Sequence, residues 1–116
     1  MVAFSKQLTQ EDVEKRLSVP IEWLTIFPSF GEDQEIQLQV VDRVGMFWEF
    51  FCIIQIKAPH WSPVLKPDGW LQYVNYTGLR VGDKIIIYEE ENKFRETKYR
   101  IIAQRLNCDG HWINIS

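Results

Sequence analysis

The segment "MFWEFFCIIQIK" (residues 46–57) restricts the fold of this chain more than any other. In an extended chain its apolar side chains fall on both faces, with Trp48, Phe50, Cys52 and Ile54 on one and Phe51 and Ile53 on the other. Such a pattern is typical of a strand that is covered on both sides. We therefore expect residues 46–57 to form a central strand between a barrel interior and a packed helix.

The segments around this run predict further strands. "EIQLQVV" (residues 35–41) alternates apolar and polar residues as a half-buried strand does, and the "DRVG" that follows predicts a hairpin into residues 46–57. "VAFSK", "KIIIYEE", "RETKYRIIAQ" and "HWINI" predict four more strands. "APHWSP" (residues 58–63), with its two prolines, predicts a loop.

Short helices are predicted between these strands. Thr9 and Asp12 have the spacing of a capping box, so a helical turn is expected to begin there. Pro20 suits the first turn of a helix in "PIEWLTIF", with its core-facing residues expected to be Ile21, Trp23 and Leu24. A further helix is predicted at residues 68–77. The pattern of about seven strands and two or three helices indicates an α+β, mostly β fold centred on a mostly antiparallel barrel.

Length and composition favour one soluble domain spanning residues 1–116. The chain has 116 residues, of which 46% are hydrophobic, and five tryptophans, so it is able to bury a core. It has no apolar run near the roughly 20 residues of a membrane span and no visible signal peptide. The two cysteines then predict a reduced, intracellular protein. The formal net charge of −3 does not by itself indicate nucleic-acid binding.

Catalysis and metal binding are not favoured. Neither histidine lies in a nucleophile motif and no glycine-rich phosphate loop is present, so we expect no enzymatic activity, cofactor or small-molecule substrate. The acidic "EEEN" at 89–92 is interpreted as a solvated turn. A zinc site would have to combine the one close pair, Cys108 and His111, with the distant Cys52 and His60. It would also require Cys52 to leave the core, and we therefore predict no metal site.

An ordered set of motifs resembles the plant B3 (basic region three) DNA-binding domain of transcription factors. The set is "FSKQLTQEDV", "RLSVP", "FP", "VDRVGMFWEF", "GWLQYV" and "GLRVGDKIIIY", and it extends over about residues 4–105. The resemblance implies a seven-stranded open pseudobarrel. The Gly-Trp helix is expected to plug one mouth of this barrel, and the Gly-Asp turn to return the chain to the sheet. Trp48, on the strand, and Trp70, on the plugging helix, are expected to be buried in the core.

The same resemblance implies sequence-specific binding of double-stranded DNA in the nucleus by a plant transcriptional regulator. Two arms, residues 6–18 and 57–66, would enter the major groove, where base edges carry the full donor and acceptor code. The expected DNA-binding residues are Lys6, Thr9, Lys15, Arg16, Ser18, Lys57, His60, Trp61, Ser62 and Lys66.

Distinct roles are expected within this set. Lys6, Lys15 and Lys66 are expected to contact phosphates. The residues expected to contact base edges are Arg16, Lys57, His60 and Ser62. Trp61 is expected to pack on a sugar or a thymine methyl group.

Two other functions are compatible with the motifs. One is a protein–protein interaction module that kept the fold and lost the DNA site, and the acidic residues of the first arm, Glu11, Asp12 and Glu14, favour it. Other transcription regulators would be the partners in that case. The other is the DNA-recognition domain of a restriction enzyme, which shares the barrel, although the plant-type motifs argue against it.

Overall fold

The computed structural model describes residues 2–32, 34–57, 60–90 and 98–116, with the backbone alone at positions 57 and 98. In chain order the elements are β1 (Ala3–Gln7), α1 (Gln10–Glu14), β2 (Leu17–Ser18), a 3-10 helix (Ile21–Thr25), β3 (Glu35–Val41), β4 (Phe47–Lys57), β5 (His60–Leu65), α2 (Pro67–Thr77), β6 (Lys84–Glu90), β7 (Lys98–Leu106) and β8 (Trp112–Asn114). None of the helices in these ranges is long and apolar enough to cross a membrane.

The strands form one mixed sheet that curls into a half-barrel. Its strand order is β1-β6-β7-β3-β4-β5-β2, and β8 pairs with β7. The β3–β7 pair is parallel, whereas the other pairs are antiparallel. This architecture confirms the expected α+β, mostly β fold.

Strand β4 is central, as its composition predicted, but its two faces differ. Phe50 and Cys52 are fully buried on the inner face, where the ring of Phe50 meets Trp70 of α2 edge-on at 5.7 Å. On the outer face, Phe51 and Ile53 are only half-buried. The helix therefore packs against the same face as the core, and the expectation of a strand between barrel interior and helix was wrong.

The Gly-Trp motif at the start of α2 explains how the helix comes so close to β4. Gly69 has φ +80°, and a Cβ atom at this position would lie 1.8 Å from the backbone oxygen of Glu49. Only glycine allows this approach, which delivers Trp70 into the core with no exposed surface. The prediction that Trp70 is buried is confirmed, and Trp48 is partly buried against the same cluster.

Two further predictions require correction. Residues 60–63 were expected in a loop, yet His60–Leu65 is strand β5, because backbone pairing with β4 outweighs the local turn preference of proline. Ile21 was expected in the core but is 58% exposed. The segment forms a single short 3-10 helix, whose one inward side is taken by Trp23. The predicted turn at 91–92 and the start of the late strand lie outside the described residues.

The Gly-Asp turn before β6 fastens the sheet to the start of the first arm. Asp83 is buried, and its carboxylate accepts hydrogen bonds from the backbone N–H of Arg80 and from the guanidinium of Arg105. Its backbone oxygen accepts the N–H of Leu8 at 2.7 Å, while Gly82 donates its N–H to Leu8. This turn therefore sets where the chain leaves β1.

Candidate nucleic-acid interface

The two predicted arms are joined through their backbones. In the first arm, Leu17 and Ser18 form β2, which pairs with Leu65 and Val64 of β5 in the second arm. Val19 then donates its N–H to the oxygen of Pro63 at 3.0 Å. The arms are therefore neighbouring strands of one sheet rather than two independent loops.

The first arm is held together by the buried carboxylate of Asp12, which is 1% exposed. It accepts the backbone N–H of Thr9 at 2.9 Å and that of Ser18 at 3.0 Å. The ammonium of Lys6 lies 3.0 Å from both of its oxygens. Asp12 was expected among the acidic residues near the DNA, but it faces inward and is paired.

Two predicted DNA contacts are engaged in building this arm. Lys6 donates to Asp12 and, at 2.6 Å, to the backbone oxygen of Ser18, and only 17% of its side chain is exposed. An ammonium has three donors, so one remains for another partner. The hydroxyl of Thr9 accepts the N–H of Asp12 at 3.3 Å and completes the predicted capping box. Both side chains therefore have structural roles in shaping the arm.

The cations at the end of α1 are available to a ligand. Lys15 is exposed, and its side chain makes no hydrogen bond or ion pair with any residue that the structure describes. Arg16 approaches Glu11 with 3.8 Å between Nε and Oε1, and both side chains are substantially exposed. An exposed pair at this distance contributes little to stability, so the guanidinium is free to change partner.

The second arm and β2 present a common polar face. His60 and Ser62 alternate along β5, Gln55 of β4 lies directly opposite Ser62, and Ser18 lies opposite Val64. Because paired residues share a face of the sheet, these polar side chains all lie on its outer side. We call Ser18, Gln55, His60 and Ser62 the outer polar face. Among the described residues, none of the four side chains has a hydrogen-bond or ion-pair partner.

Gln55 was not predicted as a site residue. It follows a run of apolar residues in β4, and only its pairing with Ser62 shows that it belongs to the outer polar face. The missed signal is the change from apolar to polar residues at the end of this strand, where Gln55 and Lys57 follow Ile53. Of Lys57 the structure describes the backbone, which ends β4 opposite His60.

Trp61 lies on the opposite face of the same strand. It pairs with Ile56, and both are largely exposed, at 52% and 69%. With Ile54, Leu24 and Phe30 they line an open groove of about 610 Å³. This apolar groove continues the inner face of β4 beyond the end of the core. By strand register Trp61 points to the other face of the sheet from His60 and Ser62, although His60, at the end of the ribbon, also borders the groove.

The remaining predicted contact, Lys66, lies where β5 leads into α2. Its Nζ is 3.4 Å from Oε1 of Glu35 and 5.9 Å from the centre of the Phe51 ring. The side chain is 38% exposed. This weak, partly solvated pairing leaves the charge of Lys66 at the outer side of the sheet.

A zinc site is absent from the residues that the structure describes, where no three His, Cys, Asp or Glu side chains come together. Cys52 is buried in β4, and burial raises the pKa of its thiol to about 12. Cys108 is exposed in the turn between β7 and β8. With Cys52 buried and Cys108 exposed, the two thiols do not lie in common surroundings that could form one zinc site.

Comparison with known proteins reveals similarity at the level of structure. No protein-family model matches the chain, and no curated protein matches it in sequence. The structure of an Arabidopsis FUS3–DNA complex matches with a TM-score of 0.75 and 24% identity over 88% of this chain and 95% of that one. The complex of the Arabidopsis thaliana transcription factor LEC2 with DNA matches with a TM-score of 0.70 and 24% identity over 85% and 88% of the two chains.

A hypothetical Arabidopsis thaliana protein also matches, with a TM-score of 0.57 and 19% identity over 88% of each chain. At these identities the likeness establishes the fold. The chain has the curled half-barrel of the B3 pseudobarrel, and the fold implied by the sequence motifs is confirmed.

Proposed function

We propose that this chain is a sequence-specific double-stranded-DNA-binding domain of a plant transcriptional regulator that acts in the nucleus. The observation that carries the proposal is the outer polar face, where both arms of a B3 fold present, side by side, polar side chains that have no partner among the described residues. Structures with the same fold, FUS3 and LEC2 of Arabidopsis, have been solved as DNA complexes. No catalytic step is part of the proposal.

The shape of the second arm suits the major groove. β4 and β5 form a two-stranded antiparallel ribbon through Lys57 and His60. A ribbon of this kind has the width that the major groove, about 12 Å wide, admits. The outer polar face would then lie towards the base edges, and β2 would follow beside it.

The side chains have two roles: some contact base edges, and others contact phosphates and position the protein on the duplex. Gln55 has an amide able to form a bidentate pair with adenine, and Arg16 and Lys57 are able to donate to guanine. His60, Ser62 and Ser18 serve as adaptable donors or acceptors. Lys15 and Lys66 contact phosphates and set the register, which carries no sequence information. The third donor of Lys6 is available for a phosphate at the base of the first arm.

Trp61 has a different part in this proposal. Because it faces the apolar groove, it contacts a sugar or a thymine methyl group only from the flank of the ribbon. The expected contribution of Trp61 to base preference is therefore smaller than that of Gln55 or Arg16.

The proposal is tested by selection from a random pool of duplex DNA, followed by mobility shift with the selected and scrambled duplexes at low salt. Enrichment of a defined sequence, bound more tightly than its scrambled form, supports the proposal. Equal binding of all duplexes, or binding of none down to low salt, contradicts it and favours a protein–protein interaction module instead.

A further inference from the structure

Three buried carboxylates organise the turns of this molecule. They are the buried charged residues among those that the structure describes: Asp12, Asp42 and Asp83. An ionised carboxylate is an acceptor only, and burying it is costly unless its oxygens are satisfied by donors. Each of the three receives at least three hydrogen bonds, so each fixes the backbone around it.

Asp12 differs from the other two in what it connects. Its donors come from three separate parts of the first arm: Lys6 in β1, Thr9 before α1 and Ser18 in β2. Its own backbone oxygen accepts the indole N–H of Trp70 at 2.7 Å. One residue thus closes the arm upon itself and fastens it to the buried end of α2.

We infer that the Asp12 carboxylate is a positioning residue for DNA recognition, which holds the first arm in the one conformation that presents Arg16 and Ser18 to base edges. The inference rests on the proposed function. Base contacts require fixed geometry, whereas flexible lysines reach phosphates from many positions. A loosened arm must also be ordered at the moment of binding, which weakens the complex. Loss of Asp12 therefore reduces sequence preference more than it reduces non-specific binding.

Asp12→Asn is the sharpest variant, because it preserves shape and changes only hydrogen-bonding capacity. All three partners of the side chain are donors, while an amide offers one acceptor oxygen and an NH₂ group that is itself a donor. At least one of the N–H groups of Thr9, Ser18 or Lys6 then loses its acceptor. The arm is expected to open at this point.

The chain supplies a matched control in Asp42→Asn. Asp42 is 0% exposed and accepts the N–H groups of Val44 and Met46 and the indole N–H of Trp48 at 2.9–3.0 Å. It belongs to the turn at the start of β4. The second arm begins at the far end of this strand, roughly 30 Å away at about 3.3 Å per residue. The control therefore removes a comparable buried network without touching either arm.

The experiment compares both variants with the wild type in three measurements. These are the free energy of unfolding in urea, hydrogen exchange at the amides of Thr9 and Ser18, and the ratio of affinities for the selected and a scrambled duplex. Asp12→Asn is expected to speed exchange at Ser18 and to lower the affinity ratio by about tenfold, the effect of losing one good base contact. Asp42→Asn is expected to lose stability while it keeps the Ser18 exchange rate and the affinity ratio.

Several results would overturn the inference. One is unchanged exchange at Ser18 in Asp12→Asn, and another is an equal loss of the affinity ratio in both variants. If Asp12→Asn does not fold, the double variant Lys6→Met, Asp12→Asn provides the second test, because it removes the ammonium together with the carboxylate and leaves neither charge buried without a partner. A change in the same direction supports the inference, and no change contradicts it.

Failure of the proposed function is distinguishable from failure of this inference. If the wild-type protein shows no duplex preference, the proposed function is contradicted, together with the role of Asp12 in recognition. Exchange at Thr9 and Ser18 still decides whether Asp12 holds the arm, since that measurement needs no DNA.

Discussion

Gln55 and Ser62 lie directly opposite each other across β4 and β5, with their side chains on the outer side of the sheet. This pairing makes the second arm a rigid two-stranded ribbon at its base. Ser18 of the first arm joins the same face through the pairing of β2 with β5. The surface that we propose for DNA recognition is therefore fixed by backbone hydrogen bonds rather than by loop conformation.

If Gln55 and Arg16 contact base edges, replacing either one should weaken DNA binding and affect the preference at a particular base position. Gln55→Ala and Arg16→Ala should each weaken binding by roughly 1–3 kcal/mol and relax the preference at one base position. Arg100→Ala is the control, because this guanidinium is paired with Glu90 between β6 and β7. Mobility shift against duplexes altered at single positions measures the effect. A relaxed preference in Arg100→Ala, with none in the other two variants, would place the DNA site on the late strands.

The exposed acids of the first arm and its few phosphate-contacting lysines predict weak binding with a shallow salt dependence and loss of most affinity near physiological salt. Glu11 and Glu14 are exposed near the first arm, and like charges near phosphates repel the duplex over about 8 Å at physiological ionic strength. The double variant Glu11→Gln, Glu14→Gln should tighten binding to all sequences alike. These substitutions make the electrostatic potential near the DNA less negative and leave the outer polar face unchanged.

The matched control for this charge change is the double variant Glu89→Gln, Glu90→Gln. These residues end β6, far from the point where β1 leads into the first arm. Titrations of one duplex at several salt concentrations compare the two double variants. Nanomolar wild-type binding at physiological salt, unaffected by Glu11→Gln and Glu14→Gln, would show that these acids point away from DNA.

The close approach of Gly69 to β4 predicts that even a methyl group at this position lowers stability. Gly78→Ala, at φ +72° with open space around it, should cost about 1–2 kcal/mol of stability from backbone strain alone. Gly69→Ala should cost clearly more, because its new methyl group also meets the backbone oxygen of Glu49. Urea unfolding of both variants measures the difference. Equal losses would mean that α2 is able to shift away from β4 freely.

The burial of Trp70 predicts a large contribution of this side chain to the free energy of unfolding. Trp70→Ala should lower the free energy of unfolding by about 3–5 kcal/mol, because it leaves a large cavity beside Phe50 and removes the donor to Asp12. Trp61→Ala, in the open groove, should change stability by much less. A comparable loss in both variants would show that the groove is part of the core in solution.

The sequence predicted the parts of this fold that depend on local pattern. The alternation in residues 35–41, the capping box of Thr9 and Asp12, and the buried Trp70 all follow from spacing and residue type. The ordered motifs then indicated the barrel.

What the sequence did not predict depends on partners distant in the chain. β5 contains Pro63 and reads locally as a loop, and only its pairing with β4 makes it a strand. The membership of Gln55 in the outer polar face and the inward position of Asp12 also require contacts across the sheet or across the arm. Cross-strand register is a property of the assembled sheet, and local periodicity does not specify it.

The measurement that tests the central claim most directly is an NMR titration of the protein with the selected duplex at low salt. The account predicts that the largest changes in amide chemical shift fall at residues 15–18, at Gln55 and at 60–62. Amides of the turn at Asp42 and of strand β8 should stay unchanged. Shifts confined to the late strands or to the apolar groove, or no shifts at any duplex concentration, would contradict the claim that the outer polar face binds DNA.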